Sequence, residues 1–412
     1  MRFAVVGGGL AGLAAALELV DRGHDVTVHE ARRTLGGAVQ TLPAREGDPS
    51  PPPDNGQHIA LGCFSEYLRF LARIGEGGSV LRRPLELPVF DEHGRVAMIT
   101  ASPASILRYS HLPPRERLGL LRALLRLRSA QGSDDESFGE LLGRLGQSPG
   151  AVDRFWDVFV RPALNLPSAE VSAALGAFTV RTGLLSGRAA SELVLPVRPL
   201  GWMHGHAAGS ALQAAGATVR THARVESLEE LDVDGIVVAL PPAESARLLG
   251  EPESQLEDSP IVSVHLLFDR TLLRRAFGAL IDSPAHWVFD RGALTGHPPE
   301  RGQYLTVVSS GVPDLLEVRG RELVELMAGE LTARFGEAEV LWSRVSREPR
   351  ATVALRPGTS SLRSATKTDR RRIVRAGAWI QTGWPATMES AVRSGRAAAS
   401  RVVFDLTTRV AA

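Results

Sequence analysis

Gly7, Gly9 and Gly12 in "RFAVVGGGLAGLAAALELVDRGHDVTVHE" fill a G-x-G-x-x-G pattern, and an acidic residue, Glu30, follows 18 positions after the last of them. That combination can hold a dinucleotide. The first glycine permits a tight turn, the second lets a pyrophosphate approach the backbone, and the third lets a helix pack on a strand. Leu10 and Ala11 then open a helix whose N-terminus faces the anion, and Glu30 is placed to accept hydrogen bonds from an adenosine ribose. A carboxylate there argues against a 2′-phosphate. Near the other end, "GAWIQTGWPATMESAVRSG" (residues 377–395) is a turn-rich stretch that opens a second helix. Thr382, Gly383, Pro385 and Thr387 are turn and cap residues, and Ala391, Ser394 and Gly395 let that helix lie close to another backbone.

These residues need particular elements to position them. The first thirty residues read as a buried strand at 3–6, the glycine turn, an Ala/Leu helix ending near Gly23, and a strand from 25 to 30. "HAAGSALQAAGATVRTHARVESLE" reads as a helix followed by a strand, and "DGIVVALPPAESARLL" as a buried strand, a Pro-Pro stop and a helix. Between 63 and 202 the pattern is mostly helical. "PPRERLGLLRALLRLRS" (113–129) puts six leucines on a wide apolar arc with Arg115, Arg122 and Arg126 opposite, which suits either a membrane surface or a core-facing helix with a solvated stripe. Arg117 and Arg128 fall inside the arc and would have to snorkel outward. "FWDVFVRPALNLP" offers Phe155, Trp156, Phe159 and Leu164 as tunnel lining or core. "DPSPPPDNG" is a stiff connector, and "TKTDRRRIVR" a solvated lead into a last strand.

With 412 residues and 44% hydrophobic content the chain can bury a large ligand, and a net charge of +1 from 47 basic and 46 acidic side chains favours no nucleic-acid partner. The lone cysteine, Cys63, excludes an internal disulfide and a cysteine-built metal site, and fits a reducing, cytoplasmic compartment. His204 and His206 lack the further ligands a metal needs. No apolar run reaches the roughly 20 residues of a spanning helix, and residues 2–6 run straight into the first strand, leaving no room for a secretion signal.

Paired glycines after the second strand, Gly36 and Gly37, are not required for NAD. They make sense if the backbone approaches the same pyrophosphate again, as in two-dinucleotide-binding flavoproteins. Here the chain resembles the FAD-dependent amine oxidase and phytoene desaturase superfamily. "DNGQHIALGCFSEYLRFLARIG", "WDVFVRPALNLPSAEVSA", "SELVLPVRPL", "HWVFDRG" and "GWPATMESAVRSG", in order from residue 1 to about 400, are similar to its squalene-associated branch, the hydroxysqualene dehydroxylases.

The resemblance implies an α/β fold: a Rossmann-like FAD-binding domain of the glutathione-reductase type, discontinuous over 1–62, 203–245 and 370–412, with an α+β substrate domain from 63–202 and 246–369. It implies FAD contacts from Gly7 to Gly12, Glu30, Ala31, Gly36, Gly37, Gly56, Val225 (by its backbone), Gly377 and the stretch Trp384, Pro385, Ala386, Thr387 and Met388, which should lie over the flavin ring. Relatives carry Arg where this chain has Ala38, and an acid where it has Ala378. The implied reaction removes the allylic hydroxyl of hydroxysqualene, an isoprenoid lipid, with hydride from reduced FAD; the site then needs a proton donor, for which His58 is the candidate, with Gln57 its hydrogen-bonding companion. Asp157, Arg161 and Asn165 are the next polar cluster. Since no second G-x-G-x-x-G occurs, electrons come from an external reductant. Peripheral contact with the inner face of the membrane and association with other squalene-synthesis enzymes are further expectations. The other readings are a carotenoid-type desaturase or isomerase, and a non-catalytic paralogue with impaired FAD binding that scaffolds squalene synthesis.

Overall fold

Short apolar runs set the first sheet. Phe3 to Val6, Val26, Val28 and all of Gly235–Val238 are buried, and strands covered on both faces pair in parallel. In the computed structural model, which describes residues 1–408, Ile373–Arg375, Gly235–Val238, Arg2–Val6, Asp25–His29 and Thr218–Arg220 lie in that order. All four pairings are parallel, with Val5 opposite both Val28 and Val237. The expected elements are found as helix Leu10–Asp21, helix Ala207–Ala214 before Thr218–Arg220, and helix Pro242–Leu249 after the Pro-Pro stop. Residues 409–412 of the expected last flavin segment lie outside the described residues.

The late helix, Met388–Thr407, packs along Leu10–Asp21. A β-carbon on Gly395 would stand 2.1 Å from the Ala11 carbonyl oxygen, so the approach expected from the small residues depends on that glycine. Ala398, Ala399 and Val402 share one core with Leu13, Leu19 and the strand valines. Helix Ser65–Arg73 joins this core through Tyr67, Phe70 and Leu71.

A second, seven-stranded sheet runs in the order Val340–Val353, Asp258–Phe268, Gln303–Ser310, Trp287–Asp290, Phe277–Leu280, Glu86–Phe90 and Val96–Thr100. Alternation divides its faces. Val262, Val264, Leu266, Leu305 and Val307 meet Leu323, Met327 and Leu331 of helix Gly320–Phe335. Phe277, Trp287, Phe289 and Val308 enter another core with Phe155, Trp156 and Leu164. The span 63–202, expected to be mostly helical, also supplies Val80–Arg83, Glu86–Phe90, Val96–Thr100 and Leu193–Pro196 as strands. A proline inside Glu86–Phe90 and paired arginines in Val80–Arg83 blur their alternation, and distant partner strands decide them. Among the described residues no helix is long and apolar enough to cross a membrane.

Candidate active site

The glycine turn lies at the carboxyl edge of the parallel sheet, where ligands of such sheets bind. A β-carbon on Gly7 would stand 2.3 Å from Ala239 O, and one on Gly12 would stand 1.9 Å from Gly7 O, so the protein's own packing demands both glycines. Gly9 differs. An added β-carbon there meets nothing nearer than Gly37 Cα at 3.6 Å, so the fold would admit a side chain, and its lack answers to something outside the chain that comes close. A pyrophosphate fits, because Gly9 gives the helix beginning at Leu10 no side-chain cap, so no side chain occupies the end of its first turn. Gly36 and Gly37, at φ +112° and +64°, fold onto the same turn: Gly36 N–H donates to Gly8 O at 2.8 Å, and a β-carbon on Gly37 would press on Gly9.

Glu30 is buried and accepts the Gly8 and Arg32 backbone N–H groups, each at 2.7 Å. A carboxylate offers roughly four acceptor sites, so about two remain for ribose hydroxyls. Glu30 N–H donates to Arg220 O and Ala223 N–H to Glu30 O; Val225, two residues further on, is buried with Val6 and Val238, and Ala31 is exposed. The residues present therefore fit a dinucleotide.

The late stretch leaves the same sheet edge. Gly377 N–H donates to Ser394 Oγ at 2.8 Å, and Thr387 caps the late helix by accepting the Ser390 N–H. Glu389, fully buried, accepts the N–H groups of Glu66 and Tyr67 and so caps helix Ser65–Arg73. Trp384 packs edge-on against Phe64 and Phe178, and Arg393 lies over its ring at 4.8 Å. Pro385 is buried, Ala386 packs on the second core and Met388 on the first.

Residues 56–61 run along the seam between the two cores, since Ile59 and Leu61 touch the second while Ala60 belongs to the first. Gly56 lies against the large sheet, its missing β-carbon 3.1 Å from Ser263 Oγ. His58 is half-buried and has no hydrogen-bond partner among the described residues; burial pulls its pKa from 6.5 down to about 4. It was expected to donate near pH 7, but at that pH only roughly one molecule in a thousand carries the imidazolium. Neighbouring His204 is also pulled to about 4, by burial first and by the field of His58. The Leu200 carbonyl fixes the proton on its Nδ1, so its Nε2 accepts the Tyr67 hydroxyl at 2.8 Å.

Gln57 turns the other way. Its Oε1 accepts Arg291 Nη1–H at 3.0 Å, and Arg291, 1% exposed, pairs with buried Asp54 at 2.5 Å. Burial raises the Asp54 carboxyl, against Arg291, the Thr41 hydroxyl and the Leu200 N–H. Sequence reasoning missed this pair, because no local spacing links residues so far apart. Of the reserve cluster, Asp157 is taken up by Ser168 N–H and Oγ–H, and Asn165 by Ser259 O and Gly311 N–H.

The profile of the family described as "Flavin containing amine oxidoreductase" matches residues 10–403. The chain is 28% identical to the hydroxysqualene dehydroxylase of Sinorhizobium fredii, over 98% of this chain and 99% of that one. It is 23% identical to the zeta-carotene desaturase of Synechocystis, over 98% and 97%. Its architecture matches the cyclohexylamine oxidase of Brevibacterium oxydans with a TM-score of 0.71 at 17% identity, covering 98% and 99%. With the dinucleotide cradle at one end of the sheet edge and the capped late helix at the other, the chain belongs to the flavin-containing amine oxidoreductase family, as an FAD-dependent oxidoreductase.

Proposed function

We propose that the protein reductively dehydroxylates hydroxysqualene to squalene. The observation that carries this is the seam at residues 56–61, whose one titratable residue, His58, directly precedes Ile59 and Ala60, which pack on the two different apolar cores. A C30 isoprenoid carries a single polar group, so apolar burial at about 25 cal/mol per Å² holds the rest. Partly buried Leu61, Phe159, Leu184 and Ala386 on the second core are the surfaces for it. Bound in reduced form, FAD supplies the hydride. Hydroxide leaves poorly, and His58 is the residue that brings a proton to it, with Gln57 fixing the segment by its bond to Arg291. Gly7 to Gly12, Glu30, Ala31, Gly36, Gly37, Gly56, Val225, Gly377 and Trp384 to Met388 are the proposed FAD contacts. The domain division expected above belongs to the same proposal, as does an external reductant.

One observation favours a carotenoid-type desaturase instead: a hydrocarbon needs no proton donor, which suits a histidine held neutral. Incubating reduced enzyme with hydroxysqualene, and oxidised enzyme with phytoene-like polyenes, separates the two by product.

The membrane side of the proposal rests on helix Pro114–Leu127. It buries Leu120, Ala123 and Leu127, yet Leu118 and Leu125 are 49% and 62% exposed beside exposed Arg115, Arg122 and Arg126. Arg117 does not snorkel; it donates to Leu112 O and Leu107 O. Apolar side chains ringed by arginine suit an anionic bilayer surface. Co-sedimentation with anionic vesicles, lost in Leu118→Ser/Leu125→Ser, checks it; equal sedimentation of both proteins refutes it.

A further inference from the structure

Arg363, 6% exposed, follows the short helix Thr359–Leu362 and donates only to main-chain carbonyls. Nε bonds Trp379 O at 3.1 Å, Nη1 bonds Trp384 O at 2.7 Å, and Nη2 bonds Ala378 O at 3.1 Å and Ile380 O at 2.7 Å. All four acceptors lie in the loop that joins the edge of the parallel sheet to the capped start of the late helix.

The charge balance of this arrangement is unusual. Residues 378–384 contain no charged side chain. Arg363 forms no ion pair among the described residues, and Asp134 is the one carboxylate whose field raises it. Burial lowers its pKa to about 10, which still leaves it charged at neutral pH. A buried charge without a counter-ion is costly, and neutral donors could have tied the same carbonyls. A second arginine reaches the other end of the site: Arg32 Nη1 donates to Gly37 O at 3.3 Å, beside Ala38.

We propose that Arg363 is the positioning residue that shapes the loop 378–384 and leaves beside the flavin a positive charge which the reduced, anionic form of the cofactor balances. The inference rests on the proposed placement of this loop against the flavin. Two separable effects follow. The four-carbonyl fork sets how well FAD binds, and the charge sets how readily bound FAD is reduced.

Arg363→Lys keeps the charge but loses the planar fork, whereas Arg363→Met loses both. FAD affinity of the apoproteins by fluorescence quenching, and the midpoint potential of the bound flavin, read the two effects without any turnover. Expected are a Kd for FAD raised about tenfold or more in both variants, a potential lowered in Arg363→Met, and a wild-type potential in Arg363→Lys. Wild-type affinity in the lysine variant overturns the positioning role. A wild-type potential in Arg363→Met overturns the charge role, and if that variant does not fold, a potential lowered in Arg363→Lys does so. Wild-type protein that takes up no FAD overturns the flavin reading beneath both, which is a different failure.

Discussion

Burial and chemistry pull His58 in opposite directions. The proposed dehydroxylation needs a proton at His58, yet burial holds the imidazole neutral, with a pKa of about 4. If His58 is the acid, the rate should follow its small protonated fraction. Single turnover of pre-reduced enzyme is then expected to rise about tenfold per pH unit from roughly pH 7 to 5. His58→Ala should flatten that slope and slow the step by about 10²–10⁴-fold while flavin colour remains. A flat wild-type profile removes His58 from proton transfer. Glu30 makes a separate test: Glu30→Ala loses ribose hydrogen bonds to a charged acceptor and should weaken FAD binding by about 1.5–3 kcal/mol in titrations of the apoprotein. The position of Glu30 beside the glycine turn could be read from the sequence because it depends on local spacing after a strand. Arg291, Asp54 and Arg363 could not, because each acts on residues that only the folded chain brings near.

The late helix was legible for a related reason. Its small residues predicted a close backbone, and Gly395 against Ala11 O is that contact. Gly395→Ala should therefore destabilise by about 1–3 kcal/mol in urea unfolding, since helix backbone must shift to admit a methyl group. Gly329, in the exposed middle of helix Gly320–Phe335 with nothing within 4 Å of an added β-carbon, is the opposite case. Gly329→Ala is expected to stabilise by about 0.5–1 kcal/mol through helix propensity alone. Equal effects at the two sites would contradict the packing described. The strands Val80–Arg83, Glu86–Phe90 and Val96–Thr100 escaped the sequence because their stability lies in cross-strand partners more than in their own alternation.

Across the molecule, four histidines are held neutral by burial: His58 and His204 at about 4, His265 and His286 at about 3. Their unfolded value of about 6.5 is higher, so between these values the unfolded chain binds more protons. Stability is then unaffected above about pH 6.5 and falls as the pH drops from there toward 4. The loss between roughly pH 7 and 5.5 is on the order of 1 kcal/mol per histidine, read as a lower urea midpoint. Carboxyls raised by burial, such as Asp54 and Glu348, act with the opposite sign as the pH nears their own range. A midpoint that rises on acidification through this window would contradict the burial of these rings. The parallel-sheet half of the fold was readable because a strand, three spaced glycines and an acidic residue stand together at one end of the chain. The reaction is tested most directly by adding hydroxysqualene anaerobically to pre-reduced enzyme, then following flavin absorbance together with extracted product. Return of the oxidised-flavin band, with squalene formed in equal amount to the flavin, is the expected result; a reduced flavin that persists, with the alcohol recovered unchanged, would rule out the proposed dehydroxylation.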